Sequence, residues 1–304
     1  MPEPLGPVLV TGGSGQLARA LAAGPGNLDI RVVGRPGFDF DHPATLGAAF
    51  AAIRPALVIN AAAYTAVDRA ESEAAAAARA NDSGPGELAR ICAAAGVTLI
   101  HVSTDYVFDG TKGSPYVETD PTSPTGVYGR TKLDGEAAVL AAGRAIVLRT
   151  SWVYAATGKN FVLTMVNAAR KSGGEPARLR VVADQRGCPT SAADLAAAIV
   201  AIAQRILAEG FDPAWSGIYH AAGAGETTWH GLATAVFEHS AALGLTPPVV
   251  EPIATADWPT PARRPLDSRL DCTKLFETFG VRLPEWRVAL DRTIAEIMVP
   301  ADAG

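Results

Sequence analysis

Tyr128 and Lys132 stand four residues apart at the head of a run, Leu133 to Ala142, whose pattern is helical. Side chains at this spacing share a helix face, so a phenol is set beside an ammonium. A phenol is a poor proton donor or base near its free pKa of about 10. A lysine cation one turn away favours the tyrosinate and moves the group toward working pH, and the same cation can hydrogen-bond a cofactor ribose. The bare spacing recurs by chance in unrelated chains. Its weight comes from the segments around it.

Ser103-Thr104-Asp105 follows the apolar run Val97 to Val102, which reads as a strand. Open α/β sheets bind ligands beyond the carboxyl ends of their strands. A Thr104 hydroxyl there could hold a carbonyl or alkoxide beside Tyr128. Asn60-Ala61-Ala62-Ala63-Tyr64-Thr65 ends another strand, and its small residues would let a flat nicotinamide–ribose segment pass close to the backbone. Asn81 either orders a nearby group or caps a helix.

Thr11-Gly12-Gly13-Ser14-Gly15-Gln16-Leu17-Ala18 lies where a first strand, Pro7 to Thr11, turns into a helical pattern through Leu21. Glycines at 12 and 15 allow a tight turn and close approach of a pyrophosphate to a helix start, and Ala18 replaces the third glycine of the usual spacing. Gly34-Arg35 follows the second strand, with no carboxylate before Asp39. An acidic residue there would hold a ribose 2′-hydroxyl and an arginine a 2′-phosphate, so the sequence favours NADP over NAD. A solvated surface arginine is the bland alternative. Asp39-Phe40-Asp41 could flank the adenine.

These segments need a scaffold. Short apolar runs at 7–11, 30–33, 56–60, 97–102 and 145–149 alternate with alanine-rich helical stretches at 68–80 and 86–95. The alternation predicts an α/β fold, a Rossmann-like doubly wound parallel sheet. Beyond Thr150 the sequence predicts a helix over 160–171, a strand over 179–182, a helix capped by Ser191, and a last helix over 286–298. Residues 1–150 are expected to form the dinucleotide-binding domain. Residues 151–304 should form mainly a smaller substrate lobe, with elements near 180–222 returning to the sheet.

The chain has 304 residues, 26 basic and 31 acidic, for a net charge of −5, and 48% are hydrophobic. No basic run stands out, which argues against nucleic acid or an anionic membrane as partner. Cys92, Cys188 and Cys272 show neither metal-ligand spacing nor an even count, so a reducing cytoplasm is expected. No basic stretch leads an apolar one at the N-terminus, and no signal peptide is expected. The apolar run Leu195 to Ala203 is far short of the roughly 20 residues of a membrane span. The five histidines lack zinc spacing, and His101 reads as a satisfied core residue. Arg263 and Arg264 could clamp a pyrophosphate or simply face solvent.

Taken together, Asn60 to Asp68, Ser103 to Asp109, Val127 to Glu136, Arg149-Thr150-Ser151-Trp152-Val153-Tyr154, Asp184 to Thr190, Tyr219-His220-Ala221 and Trp258 to Pro265 resemble the extended short-chain dehydrogenase/reductase superfamily. Within it they look like the dTDP-4-dehydrorhamnose reductases, over almost the whole chain. The resemblance implies hydride transfer from NADPH, with NADH also possible, to C4 of dTDP-4-dehydro-β-L-rhamnose, a dTDP-linked deoxy keto sugar. By the same resemblance Tyr128 would protonate the C4 alkoxide and Lys132 would orient the ribose and lower the tyrosine pKa. Thr104 and Asp105 would hold the sugar, Trp152 would pack on its ring, and Thr65 and Val67 would line the same pocket. Gly12, Gly15, Gln16 and Leu17 would meet the pyrophosphate, with Arg35, Asp39, Phe40 and Ala63 toward the adenosine and Ala61, Ala62, Tyr64 and Thr65 along the rest of the cofactor.

Some relatives bridge a dimer through Mg²⁺ on acidic side chains. Ala20 and Ala193 occupy those places here, so no bridging metal is expected, and monomer and homodimer both stand. Two other readings stay open. One is a non-catalytic NADP-binding regulatory subunit, as in eukaryotic methionine adenosyltransferase, against which the Arg149 to Tyr154 segment speaks. The other is a nucleotide-sugar epimerase or dehydratase that keeps and recycles its cofactor.

Overall fold

The computed structural model describes residues 6–24, 27–172 and 178–299. The five apolar runs of the first half form β1 (Val8–Thr11), β2 (Ile30–Val33), β3 (Leu57–Asn60), β4 (Thr98–Thr104) and β5 (Ala145–Thr150). Between them lie α1 (Gln16–Ala22), α2 (Ala44–Ile53), α3 (Val67–Ala70), α4 (Ala74–Ala78), α5 (Gly84–Ala94) and α6 (Val127–Leu140). β1, β3 and β5 are buried along their whole length, as strands covered on both faces must be.

The second half supplies short strands β6 (Val153–Tyr154), β7 (Arg178–Val182), β8 (Arg186–Gly187) and β9 (Thr190–Ser191), and then β10 (Gly217–His220), β11 (Thr227–Thr228) and β12 (Val249–Ile253). Its helices are α7 (Phe161–Lys171), α8 (Ala192–Glu209), α9 (Trp229–Ala242), α10 (Thr273–Phe279) and α11 (Trp286–Met298). Ser191 caps α8, its hydroxyl accepting from the Asp194 N–H. No helix among the described residues is long and apolar enough to cross a membrane.

One parallel sheet runs in the order β10-β5-β4-β3-β1-β2. Side chains alternate across it. Val8 and Val10 face a core with Leu17, Leu21, Leu195 and Ile199, while Leu9 faces the opposite core with Leu46, Leu88 and Val139. The chain leaves β1 for β2 on one side and returns to β3 on the other. This reversal opens a crevice at the carboxyl ends of β1 and β3, the usual ligand position in such sheets. A third core joins α7, α9 and α11 through Val162, Val166, Leu232, Val236, Leu290 and Ile294. β7 pairs with β12 beside it and stays outside the main sheet.

The helix expected over 68–80 is divided. α3 and α4 are separate, and a π turn over Arg79–Ser83 leads into α5. The wide turn carries Asn81, fully buried, whose Oδ1 accepts from the Tyr64 N–H at 2.8 Å and whose Nδ2 donates to Tyr64 O and Thr131 Oγ1, both at 3.1 Å. An ordinary α turn would advance this side chain differently, and such bulges recur at functional sites. Asn81 therefore anchors the β3 loop to α6.

α6 approaches its neighbours backbone to backbone. A Cβ on Gly135 would lie 1.9 Å from the Asn81 carbonyl oxygen, and one on Gly129 would lie 2.1 Å from that of Tyr106. Gly135→Ala is expected to lower stability by about 2 kcal/mol or more, because backbone must move to admit the methyl group. Urea denaturation measures this, and a loss within about 0.5 kcal/mol of zero would mean that α6 is not held so closely.

Candidate active site

The glycine-rich turn joins β1 to α1. Gly12 and Gly13 have φ of 107° and 53°, in the left-handed region that side chains disfavour. A Cβ on Gly12 would also press on the Ala61 carbonyl at 3.0 Å. Gly15 precedes α1 without any side-chain cap, so the first N–H groups of that helix stay available to a ligand.

The turn forms one wall of a cleft of about 810 Å³ over the carboxyl ends of the strands. Gly12, Gly15, Gln16, Leu17, Arg35, Phe40 and Ala61 to Thr65 line it, and so do Thr104, Asp105, Tyr128, Lys132 and Trp152. Asp39 and Val67 are not among the lining residues. The Asp39 carboxylate turns onto Arg35 at 3.0 Å, and Arg35 also meets Asp41 at 2.7 Å at the exposed rim. Val67 starts α3. Arg264 is engaged by Asp68 at 2.9 Å and Thr260 at 2.6 Å, whereas the Arg263 side chain is exposed.

Thr104 ends β4 and caps the turn that follows, accepting the Tyr106 N–H at 3.2 Å. Its hydroxyl donates to Asp105 Oδ1 at 3.1 Å, and the Ser151 hydroxyl donates to Asp105 Oδ2 at 3.0 Å. Burial pushes the Asp105 carboxyl up to about 6, against the opposing effect of these hydroxyls and that of Ser268. The Tyr128 ring is half-exposed but its hydroxyl lies deep. Burial pushes it up to about 12, with Thr104 opposing and Asp105 adding to the rise. This is opposite to the lowering expected from the lysine: removing a phenolate from water dominates, and Lys132 is not among the groups that act on the hydroxyl. Burial brings Lys132 down to about 8, and Glu136 opposes that fall. Lys132 Nζ donates to the Val102 carbonyl at 2.7 Å.

Trp152 follows β5 with φ of 46°, strained for a bulky side chain. Its ring stacks on Trp229 with centroids 3.6 Å apart and planes 7° from parallel. A Cβ on Gly187 would lie 2.4 Å from the same ring. Trp229 Nε1 donates to Gln185 Oε1 at 3.2 Å, which ties the stack to the segment before β8.

Residues 6–299 match the family model described as the RmlD substrate binding domain. A dTDP-4-dehydrorhamnose reductase of Sinorhizobium fredii is 44% identical over 95% of this chain and 97% of its own. The chain belongs to the dTDP-4-dehydrorhamnose reductase family. As a member of that family it is an oxidoreductase. A Streptomyces antibioticus relative named "Probable dTDP-4,6-dihydroxy-2-methyloxan-3-one 4-ketoreductase" is 42% identical over 95% of both chains. Similar overall identity therefore spans more than one keto-sugar name. The crystal structure of the dTDP-4-dehydrorhamnose reductase of Bacillus anthracis, solved in complex with NADP, is 30% identical, with a TM-score of 0.86 over 96% of this chain and 99% of that one.

Three residues of this reductase-family site escape a reading of spacing. Thr150 lines the cleft with a buried hydroxyl that has no partner among the described residues. Trp229 and His101 come from distant parts of the chain, and only pairing and packing bring them to Trp152 and Lys132. The Trp229 signal is a lone aromatic at a helix start, which means little alone.

Asp105 links the site to stability. Its carboxyl sits above the usual 3.8, so below that pH both folded and unfolded chains are protonated and nothing is lost. Between pH 3.8 and about 6 only the unfolded chain ionises this group, so stability falls by about 3 kcal/mol across that window and levels off once the folded carboxyl ionises too. Asp105→Asn is therefore expected to gain about 2 kcal/mol on the wild type between pH 4.5 and pH 7.5, read from urea midpoints. An equal difference at both pH values would show that the carboxyl is not displaced.

Proposed function

We propose that the chain reduces the C4 keto group of dTDP-4-dehydro-β-L-rhamnose to the alcohol of dTDP-L-rhamnose, with NADPH as reductant. The observation that carries this reading is that Tyr128, Lys132 and Thr104 share one cleft with the glycine-rich turn and with Trp152. The cleft suits a dinucleotide: Gly12 has no room for a Cβ, and the start of α1 is uncapped. Gly12, Gly15, Gln16 and Leu17 would hold the pyrophosphate, Arg35 and Phe40 the adenosine end, and Ala61 to Thr65 with Lys132 the ribose end. When bound, NADPH supplies the hydride.

The protein's own part is to bind, orient and protonate. Thr104 turns its one hydroxyl proton from Asp105 to the keto oxygen when the sugar binds, and so polarises it. Tyr128 holds its proton throughout the neutral range, because burial keeps its hydroxyl near 12, and delivers that proton to the oxygen as negative charge develops. Asp105 orients the Thr104 hydroxyl, and Trp152 supports the apolar face of the deoxysugar. The free thiols Cys92, Cys188 and Cys272 fit a cytoplasmic enzyme.

The direct test follows NADPH absorbance with dTDP-4-dehydro-L-rhamnose generated in situ by the two preceding enzymes. Stoichiometric loss with dTDP-L-rhamnose as product is expected. One tightly held, non-exchanging NAD per chain would instead indicate an epimerase. Tyr128→Phe is expected to cut turnover by about 100-fold or more and spare cofactor affinity; near-wild-type turnover would mean that another group is the acid. Arg35→Asp should weaken NADPH more than NADH in a fluorescence titration, and equal weakening would remove the reason for preferring the phosphorylated cofactor.

A further inference from the structure

One row of polar side chains crosses three adjacent strands, at the ends of β1 and β3 and in the middle of β4. The parallel register sets Thr11 of β1 opposite Asn60 of β3, and Asn60 opposite His101 of β4. All three are fully buried. Thr11 Oγ1 donates to Asn60 Oδ1 at 2.5 Å, and the Ala62 N–H reaches the same oxygen at 3.2 Å. With its oxygen engaged on that side, Asn60 turns Nδ2 to His101 Nδ1 at 2.9 Å. An amide nitrogen only donates, so His101 Nδ1 accepts, and a neutral imidazole accepting there carries its proton on Nε2. Burial and the neighbouring Lys132 hold His101 far below the usual histidine range, which keeps the ring neutral.

His101 Nε2 lies 3.4 Å from Lys132 Nζ. An ammonium offers three donors and no acceptor, whereas an amine has a lone pair. The other protein partner of Nζ, the Val102 carbonyl, takes one N–H. A proton on Nε2 therefore matches the amine and opposes the ammonium. The charged and titratable groups around the pair are Glu136 and Tyr128 on α6, Arg149 on β5 and Asp105 after β4. Glu136 favours the ammonium, but both its oxygens are engaged by Arg149, at 2.9 Å and 2.6 Å.

We propose that His101 is a positioning residue for Lys132: the Thr11–Asn60 row fixes its tautomer, and its Nε2–H holds the lysine nitrogen in place and favours the amine. This rests on Lys132 being the lysine that meets the cofactor ribose. It ties the end of β1, through a histidine two strands away, to the protonation of a lysine on α6. Lys132 then takes up or gives up its proton close to neutral pH instead of remaining a fixed cation.

The test uses the whole chain and two near-isosteres. His101→Asn keeps a side-chain amide near the Nδ1 position and loses the Nε2 contact, while His101→Gln places an amide nitrogen near Nε2. Ring ¹⁵N spectra of histidine-labelled protein, with His101 assigned by its loss in either variant, are expected to show a neutral Nε2–H tautomer that does not titrate between about pH 6 and 9. A Nδ1–H tautomer or an imidazolium would overturn the proposal, and the wild-type spectrum decides this even if a variant fails to fold.

The second readout is NADPH affinity against pH by fluorescence, with Lys132→Met defining the limb due to the lysine. His101→Asn should move that limb to higher pH, by about tenfold in proton concentration, and His101→Gln should leave it in place. Equal loss of affinity in both, with the limb unmoved, would assign His101 a packing role alone. Neither readout uses a keto sugar, so failure of the substrate reading leaves both standing.

Discussion

Two absent methyl groups decide where the chemistry sits. α6 lies against the carbonyls of Tyr106 and Asn81 with no space for a side chain at Gly129 or Gly135. That contact lowers the helix onto the end of β4, so Tyr128 and Lys132 enter the same cleft as Thr104. The π turn at Arg79–Ser83 supplies one of the two carbonyls, and the Asn81 side chain holds the β3 loop from the same turn. A helix farther out would keep its fold and its amphipathic face and still leave the phenol away from the strand ends. The fold is general to the α/β class; the closeness is what makes a site of it.

Desolvation then governs the electrostatics. It raises Asp105 and Tyr128 and lowers Lys132, in each case as the largest cause. The common direction is toward the neutral form, as expected where charges leave water for a protein interior. A deep cleft of neutral acid and weakly held lysine cation favours delivering a proton over withdrawing one, which suits reduction of a carbonyl. Nearby, Glu136 and Arg149 form a fully buried ion pair under the same sheet. That pair is matched charge for charge, whereas Asp105 and Lys132 in the cleft titrate on either side of neutral pH.

Much of this was legible in the sequence because the signals are local. Buried parallel strands read as short apolar runs, and the glycine-rich turn is contiguous, so the sheet and the cofactor wall follow from chain order. The Tyr128–Lys132 spacing is likewise set by one helix. Less legible were α2 and α9, whose alanine-rich sequences carry weak amphipathic patterns, and the π turn after α4, which carries a buried asparagine. The direction of the Tyr128 shift is set by burial, which a four-residue spacing does not show. The Thr11–Asn60–His101 row lies on three strands far apart in the chain, and only register aligns it. His101 was legible as a satisfied core residue, but not the lysine that lies against it.

Trp152 is held in a backbone conformation that bulky residues avoid, at a cost on the order of 1–2 kcal/mol. What keeps it there comes from elsewhere: the Trp229 ring at the start of α9 and the open space at Gly187. None of these three residues lies on α6 or β4, which carry Tyr128, Lys132 and Thr104. On the proposed reading, the surface that meets the sugar and the set that reduces it can therefore diverge on separate evolutionary paths, and a duplicated gene could acquire a new sugar by drift at α9 or β8 while its chemistry stays intact.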